Sequence, residues 1–397
     1  MARIVATADL HIDGGRGGGV NPVTQRARSA ESVHAIWMEI CQRAVEERAV
    51  LVSAGDLFLD GHPLPEYEEM LAEGHRLVSG AGLEQVIVRG NHDSRHLALS
   101  HRDPLGRFAD LPGCHVVSEP SLLRLAAGIS VVALPWPRSY DYLGPDEGEG
   151  LGLEELDALV ASRAAARLGQ LIDQAAAFGD PVVVVCHCSV DAAVLSSPRR
   201  GAEVVLGTLL HEPVLPLSAF DRDPVACVIA GHIHRPQQLG QRFYYCGSPD
   251  RHDAGEAEQD KRYLLIDVAR QGLAHVESVP TPARRFCRLE VGAETQASAL
   301  VAAPGAIVKV RLAHDARLSP AEIAAGLRAA GAADVVFERE PPPAPVATTR
   351  AVAVSVGEVE GLRAYLDAAG VGPEEQAAVL AEAEALLAEL GADEGRS

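Results

Sequence analysis

The chain has 397 residues, 47% of them hydrophobic and 23% charged, which excludes disorder throughout and supplies core for two or three domains of ~150 residues. The formal net charge is −20, and ten acidic residues stand against two arginines from Ala351 onward, so much of the acidity lies in the C-terminal segment and charge alone decides no substrate. The chain does not open on a basic stretch followed by an apolar one, it has no run of 18 apolar residues, and its seven cysteines form no CxxC pair; these features predict a cytoplasmic protein with no membrane association.

Taken in chain order, five short apolar runs read as buried strands, because they are rich in Val, Ile and Ala and too short for helices. They are IVATA before Asp9, AVLVSA before Gly55-Asp56, QVIV before Arg89-Gly90-Asn91, PVVVVC before His187, and VACVIA before Gly231-His232. Between the first two, Val33, Ile36, Trp37, Ile40, Cys41, Ala44 and Val45 keep the spacing of one buried helix face. Strands alternating with amphipathic helices predict an α/β layered sheet covered on both faces, with ligands at the carboxyl ends of the strands.

Beyond Arg262, RYLLIDV and VESV read as closing strands, and PTPARR (Pro280 to Arg285) reads as a boundary. Phe286 to Glu340 then has the pattern of a small α+β unit: two strands, a helix opening at Ser319-Pro320 with a capping box, and a third strand. Pro341 to Pro345 forms a stiff linker, and Val356 to Leu390 holds two helical stretches separated by Gly370 to Pro373.

Each of the five runs leads into groups able to bind metal. Asp9, His11, Asp56, Asn91, His92, Asp93, His187, His232 and His234 offer carboxylate, amide oxygen and imidazole nitrogen, a donor set suited to Mn, Fe or Zn more than to Mg. In Asp9-x-His11 and His232-x-His234, residues i and i+2 leave a strand pointing the same way and can share one site. Asp9, His11, Asp56, Asn91, His187, His232 and His234 make seven ligand candidates, too many for one ion. They suit two ions ~3.5–4 Å apart that share a bridging carboxylate, an arrangement for phosphoester hydrolysis. Other candidates carry less. The segment Gly14 to Gly19 lacks the pattern of a phosphate loop and reads as a mobile loop. Cys186 and Cys188 alternate with His187 and read as core, and His62, His75, His115, His252 and His275 match no ligand spacing.

The ordered set Asp9-x-His11, Gly55-Asp56, Gly90-Asn91-His92-Asp93, His187 and Gly231-His232-x-His234 resembles the calcineurin-like metallophosphoesterase superfamily, and within it the SbcD-type DNA repair exonucleases. The narrower likeness rests on Gly55 to Phe58, Gly90 to Ser94, Leu134 to Pro137, Gly231 to Gln237, Tyr245 to Asp250 and Asp260-Lys261. The resemblance implies a layered β-sandwich flanked by helices, with a nuclease domain over 1–282, a small α+β capping domain and its proline-rich linker over 283–345, and C-terminal helices over 346–397. It implies that Asp9, His11 and His234 hold one metal ion, that Asn91, His187 and His232 hold the other, that Asp56 bridges them, and that both ions are manganese. It further implies that His92 acts on the leaving oxygen and that Asp93 orients it. Where archaeal and eukaryotic relatives carry a second histidine, this chain has Leu59, and His62 is the nearest substitute. The partners implied are DNA and an SbcC-type ATPase, bound through Val379, Leu380, Leu386, Leu387 and Leu390, with the chain a homodimer inside a heterotetramer. A small-molecule phosphodiesterase or phosphatase of the same superfamily is the alternative.

Overall fold

A computed structural model describes residues 1–13, 17–93, 104–144, 146–148, 150–193, 212–302 and 304–339, with a few positions beyond 360. By its internal contacts the chain divides into Met1–Arg339 and Glu340–Ser397. The second unit is described at only a few helical positions, among them Leu366 and Leu380, both buried. Leu386, Leu387 and Leu390, the proposed partner contacts, lie outside the described residues, as do Pro341 to Pro345.

Two six-stranded sheets make the body of the first unit. One contains β1 (Ala2–Thr7), β2 (Val50–Ser53), β3 (Gln85–Val88), β4 (Cys114–Val117), β13 (Arg262–Ala269) and β14 (Gly272–Pro280), in the order β14-β13-β1-β2-β3-β4. The other contains β5 (Ser121–Leu125), β6 (Ile129–Leu134), β7 (Val182–His187), β10 (Val225–Gly231), β11 (Gln237–Leu239) and β12 (Phe243–Tyr245), in the order β11-β12-β10-β7-β6-β5. A short parallel pair, β8 (Ser189–Val190) and β9 (Val214–Leu215), lies beside the second sheet in sequence.

Three apolar layers hold this body together, which is why its central strands are apolar on both faces. Val52, Val88, Val183 and Ile229 are among the side chains that fill the space between the sheets. Helices α1 (Arg28–Glu46) and α2 (Pro65–Gly80) cover the first sheet through Trp37, Ile40, Met70 and Leu71. Helix α4 (Leu153–Ala176), which follows the single turn α3 (Ser139–Tyr142), covers the second through Leu168, Leu171 and Ile172. The architecture is thus the layered sandwich flanked by helices. Cys186 and Cys188 are fully buried in the α4 layer, and all seven cysteines are free thiols.

The small unit pairs β15 (Phe286–Val291), β16 (Ile307–Leu312) and β17 (Asp334–Arg339) in one parallel sheet. Its parallel β16–β17 pairing needs a long crossover, supplied by α5 (Pro320–Ala329), whose Ser319 and Glu322 form the capping box read from the sequence. Gly17 to Gly19 all have positive φ, and Gly18 N–H donates to the Asp334 carboxylate at 2.8 Å. This part of the glycine segment is therefore seated against the small sheet, whereas composition alone reads it as mobile. Among the described residues no helix is long and apolar enough to cross a membrane.

Candidate metal centre

At the carboxyl ends of β1, β2 and β10 the backbone takes an uncommon path. Asp9, His11, Asp56 and His232 have φ of 54°, 42°, 54° and 88°, a left-handed conformation costing about 1–2 kcal/mol per residue, which Asp and His tolerate better than most. Hydrogen bonds hold it in place. Asp9 N–H donates to the Gly55 carbonyl at 2.9 Å, His11 N–H to the Asp56 carbonyl at 3.0 Å, and Ile12 N–H to the Leu57 carbonyl at 3.0 Å. The exits of β1 and β2 thus stay paired beyond their regular ends, and their turned side chains converge. Two glycines make room: a Cβ on Gly55 would strike the His187 ring, and one on Gly90 would strike the Asp56 carboxylate.

Three groups of donor atoms each gather within 4.8 Å: Asp9, His11 and His234; Asp9, Asp56 and His187; and His11, Asp56 and His92. The Nε2 atoms of His11 and His234 are 3.0 Å apart. Asp56 Oδ2 stands between the two sides, 3.2 Å from His187 Nε2 and 3.5 Å from His11 Nε2, where a bridging carboxylate belongs. Asn91 Oδ1 lies 3.0 Å from His187 Nε2 and 3.2 Å from His232 Nδ1. All seven sequence-predicted ligands are brought together.

The partners on the outer side of each ring fix its tautomer, because an oxygen that can only accept obliges the facing nitrogen to carry the hydrogen. His187 Nδ1 donates to the Ala54 carbonyl at 2.7 Å, His234 Nδ1 to Glu256 Oε1 at 2.8 Å, and His232 Nε2 to Glu212 Oε2 at 3.1 Å. When neutral, His187 and His232 turn a bare nitrogen toward oxygens of Asp56 and Asn91, and His234 turns one toward His11 Nε2. Asp9 Oδ1 accepts the His232 N–H at 2.8 Å, but its fully buried Oδ2 has no hydrogen-bond partner. Converging acceptors around an orphaned, buried carboxylate oxygen are what a cation would satisfy, so the residues fit the divalent pair.

Charge within the cluster is balanced accordingly. Burial works to raise the Asp56 pKa, yet the charges of His187 and His92 and the hydrogen bonds to His187 and the His92 N–H hold this carboxylate below its usual range. Burial works to lower the His187 pKa, and the Asp56 and Asp9 carboxylates more than reverse it, pushing it up to about 9. Burial pushes the Asp9 carboxyl up. Without a cation, a proton on His187 offsets the Asp56 charge, and a metal ion must displace it.

His92 is half-buried beside His11, with ring centroids 4.7 Å apart. Its Nδ1 donates to the Leu59 carbonyl at 2.6 Å, which turns Nε2 away from that anchor. Asp93 does not orient this ring, contrary to what the resemblance implies. Its carboxylate accepts backbone N–H groups from Asp56 at 2.8 Å, Gly90 at 3.0 Å and Phe58 at 3.1 Å. It ties the β2 and β3 exits together, and the anchor of the His92 ring is the Leu59 carbonyl. His62 is exposed and forms none of the donor groups.

Sequence reasoning also passes over residues that line the centre. His252 packs 5.2 Å from His11 and 4.9 Å from His234, ring to ring, and its Nε2 donates to the backbone carbonyl of Asp9 at 3.0 Å. Trp136, within the segment Leu134 to Pro137, lies half-buried 4.7 Å from the His232 ring. Glu212, Glu256 and Lys261 complete the surroundings. A lone His or Glu outside any spacing pattern gives no signal; only Trp136 and Lys261 stand in segments that the resemblance marks.

Comparison with known proteins agrees with this geometry. The profile of the calcineurin-like phosphoesterase family matches residues 2–236, which spans both sheets' strand-end ligands, and the chain belongs to that family. It is therefore a metallophosphoesterase, whose family typically uses two divalent ions to hydrolyse phosphoesters. No curated protein matches the chain. Among solved structures it is similar to a dimetal phosphatase from Danio rerio (16% identity, 70% of this chain and 98% of that one, TM-score 0.40). It is also similar to GAP50, the anchor in the inner membrane complex of Plasmodium (11%, 86% and 97%, TM-score 0.38), and to a cold-active protein-tyrosine phosphatase of Shewanella (13%, 70% and 80%, TM-score 0.29).

Proposed function

We propose that this metallophosphoesterase is a DNA exonuclease/endonuclease subunit of the SbcD type, acting with an SbcC-type ATPase on double-strand breaks. The observation that carries hydrolysis is the gathering of donors from Asp9, His11, Asp56, His187 and His234, joined by Asn91 Oδ1 against His187 and His232, with the His92 ring beside His11. Asp9, His11 and His234 would hold one ion and Asn91, His187 and His232 the other, with Asp56 between them; manganese suits this mixed N/O set. The ions, when bound, supply positive charge for the phosphate and lower the pKa of water. Around them the chain's own residues act. His187, His232 and His234 are held in the tautomers that point a lone pair inward. His92, anchored through Nδ1, presents Nε2, which in the imidazolium form gives its proton to the leaving oxygen and leaves the ring neutral with its hydrogen on Nδ1.

What supports DNA as the substrate is that the segments carrying the narrower resemblance border the centre: Trp136 stands over His232, and Lys261 donates to the His234 carbonyl at 3.1 Å and to Ser248 Oγ at 2.6 Å. The assigned division of labour is a nuclease domain over 1–282, a DNA-shaping cap over 283–345 and an ATPase-binding segment over 346–397, in a cytoplasmic homodimer within a heterotetramer. The net charge of −20 favours the second reading, a small-molecule phosphodiesterase. Manganese-dependent digestion of linear duplex DNA, beside bis-p-nitrophenyl phosphate and with and without the ATPase partner, separates the two. DNA shortening that disappears in His92→Ala while two ions stay bound supports the nuclease; hydrolysis of the small diester with DNA untouched in every mixture refutes it.

A further inference from the structure

We infer that Glu256 and Glu212 are positioning residues, one for each half of the metal centre, each fixing by its carboxylate the inward-facing nitrogen of one histidine. The inference rests on the two-ion reading above and adds to it the pair of groups outside the ligand set on which the two ions separately depend.

Glu256 is 7% exposed, and both its oxygens are engaged. Oε1 accepts from His234 Nδ1 at 2.8 Å, while Oε2 accepts the His252 N–H at 3.0 Å and pairs with Lys261 Nζ at 2.9 Å. A carboxylate this buried needs a counter-charge, and Lys261 is one of only two lysines in the chain. His252, held in turn, donates to the Asp9 carbonyl at 3.0 Å. One buried network thus fixes the imidazole of His234 and the strained backbone of Asp9, two of the three donors on that side.

Glu212 serves the other side. Its Oε2 accepts from His232 Nε2 at 3.1 Å, and its Oε1 accepts from Ser189 Oγ at 2.6 Å, so its orientation is set from β8, two residues past His187. The His232 ring presents Nδ1 inward and the His234 ring Nε2. The carboxylates therefore sit on opposite ring nitrogens, as expected when each selects the tautomer its own ion requires. A partner on the outer nitrogen of a ligating histidine raises its basicity and fixes its orientation, and losing it costs ~10–100-fold in metal affinity.

The test is Mn2+ binding to the full-length protein, by calorimetry and by electron paramagnetic resonance, for wild type, Glu256→Gln, Glu212→Gln and both changes in a His234→Ala background. Wild type is expected to take two ions and give the spectrum of a coupled pair. Each single variant is expected to weaken one binding step ~10–100-fold and, at the same free Mn2+, to give the spectrum of an isolated ion. In the His234→Ala background, Glu256→Gln should leave one ion bound at unchanged affinity, whereas Glu212→Gln should weaken that remaining ion. A purely structural ion pair would not separate the two ions in this way. If Glu256→Gln does not fold, Glu212→Gln, whose carboxylate is partly exposed, carries the test alone. Both steps staying within twofold of wild type in a folded variant overturns the inference and leaves the two-ion reading intact; no Mn2+ bound by wild type overturns both.

Discussion

His75 should make the protein's stability fall with acidity, independently of the metal centre. Its fully buried ring lies between Trp37 and Phe108, with centroids 4.8 and 4.5 Å away, and its Nδ1 is 2.8 Å from Gln85 Oε1. Burial disfavours the imidazolium and takes the pKa from 6.5 to about 4, although the Gln85 hydrogen bond works to raise it. The unfolded chain, with the higher pKa, takes up the proton first as pH falls. Stability from this group is therefore complete above about pH 7.5, declines through 6.5 and is gone below about 4. At 1.36 kcal/mol per unit the full difference is about 3 kcal/mol, of which about 2 kcal/mol is lost by pH 5. The comparison is wild type against His75→Gln, whose amide can still bond Gln85 but does not titrate. Urea melts in a metal chelator, followed by Trp37 fluorescence in a Trp136→Phe background, give the stability gap at each pH. That gap should narrow by about 2 kcal/mol between pH 7.5 and pH 5. A gap constant to within about 0.5 kcal/mol would refute the assignment of a neutral, buried His75.

Three other substitutions probe the exits of the strands. Gly90→Ala places a methyl against the Asp56 carboxylate and backbone nitrogen, and should weaken Mn2+ binding at least ~10-fold while costing about 1–3 kcal/mol of stability; metal content after dialysis and a thermal melt measure both. Asp93→Asn turns an N–H toward one of three backbone donors and should cost about 1–3 kcal/mol, read from a chelated melt. In His92→Ala, two ions should remain bound and hydrolysis of bis-p-nitrophenyl phosphate should fall ~10²–10⁴-fold; metal retention without loss of rate would remove His92 from the chemistry.

Much of the centre is legible in the sequence because its ligands sit at fixed offsets after apolar strands, and five apolar runs that each end on Asp, Asn or His are hard to reconcile with plain turns. The strands themselves are readable for the same reason: β1, β2, β3, β7 and β10 are buried on both faces and contain no polar alternation to obscure them. The covering helices α2 and α4 are not. Alanine, which is neutral in a hydrophobic pattern, supplies Ala161, Ala164 and Ala175 of the α4 core face, and in α2 Gly74 has helical contacts so close that a Cβ there would strike Trp37 and Cys41. Long-range partners are illegible in principle. Nothing local to Glu256 or His252 reports that the chain returns from β12 to lie against Asp9, and Asp93 looks like a companion of its neighbour His92 when its acceptors serve backbone from β2.

The two-sheet architecture also sets the chemistry, because each proposed ligand set draws on both sheets. Asp9 and His11 follow β1 of the first sheet while His234 follows β10 of the second; Asn91 follows β3 of the first while His187 ends β7 and His232 follows β10 of the second. The distance between the donors is therefore fixed by what fills the space between the sheets near these exits. That space is lined by small residues, among them Ala6, Ala8, Ala54 and Cys246, all fully buried. Gly231 meets the same crowding, since a Cβ there would lie 2.9 Å from the Ala8 methyl and closer still to the Ala54 carbonyl. Close-packed interiors transmit an added methylene as backbone displacement. Ala54→Val would thus spread the β2 and β10 exits and separate Asp56 from His187 while leaving every ligand side chain in the sequence unchanged. The small residues at this end of the core bring the donor atoms of two sheets within reach of one another, and the strained backbone at Asp9, His11, Asp56 and His232 completes the approach.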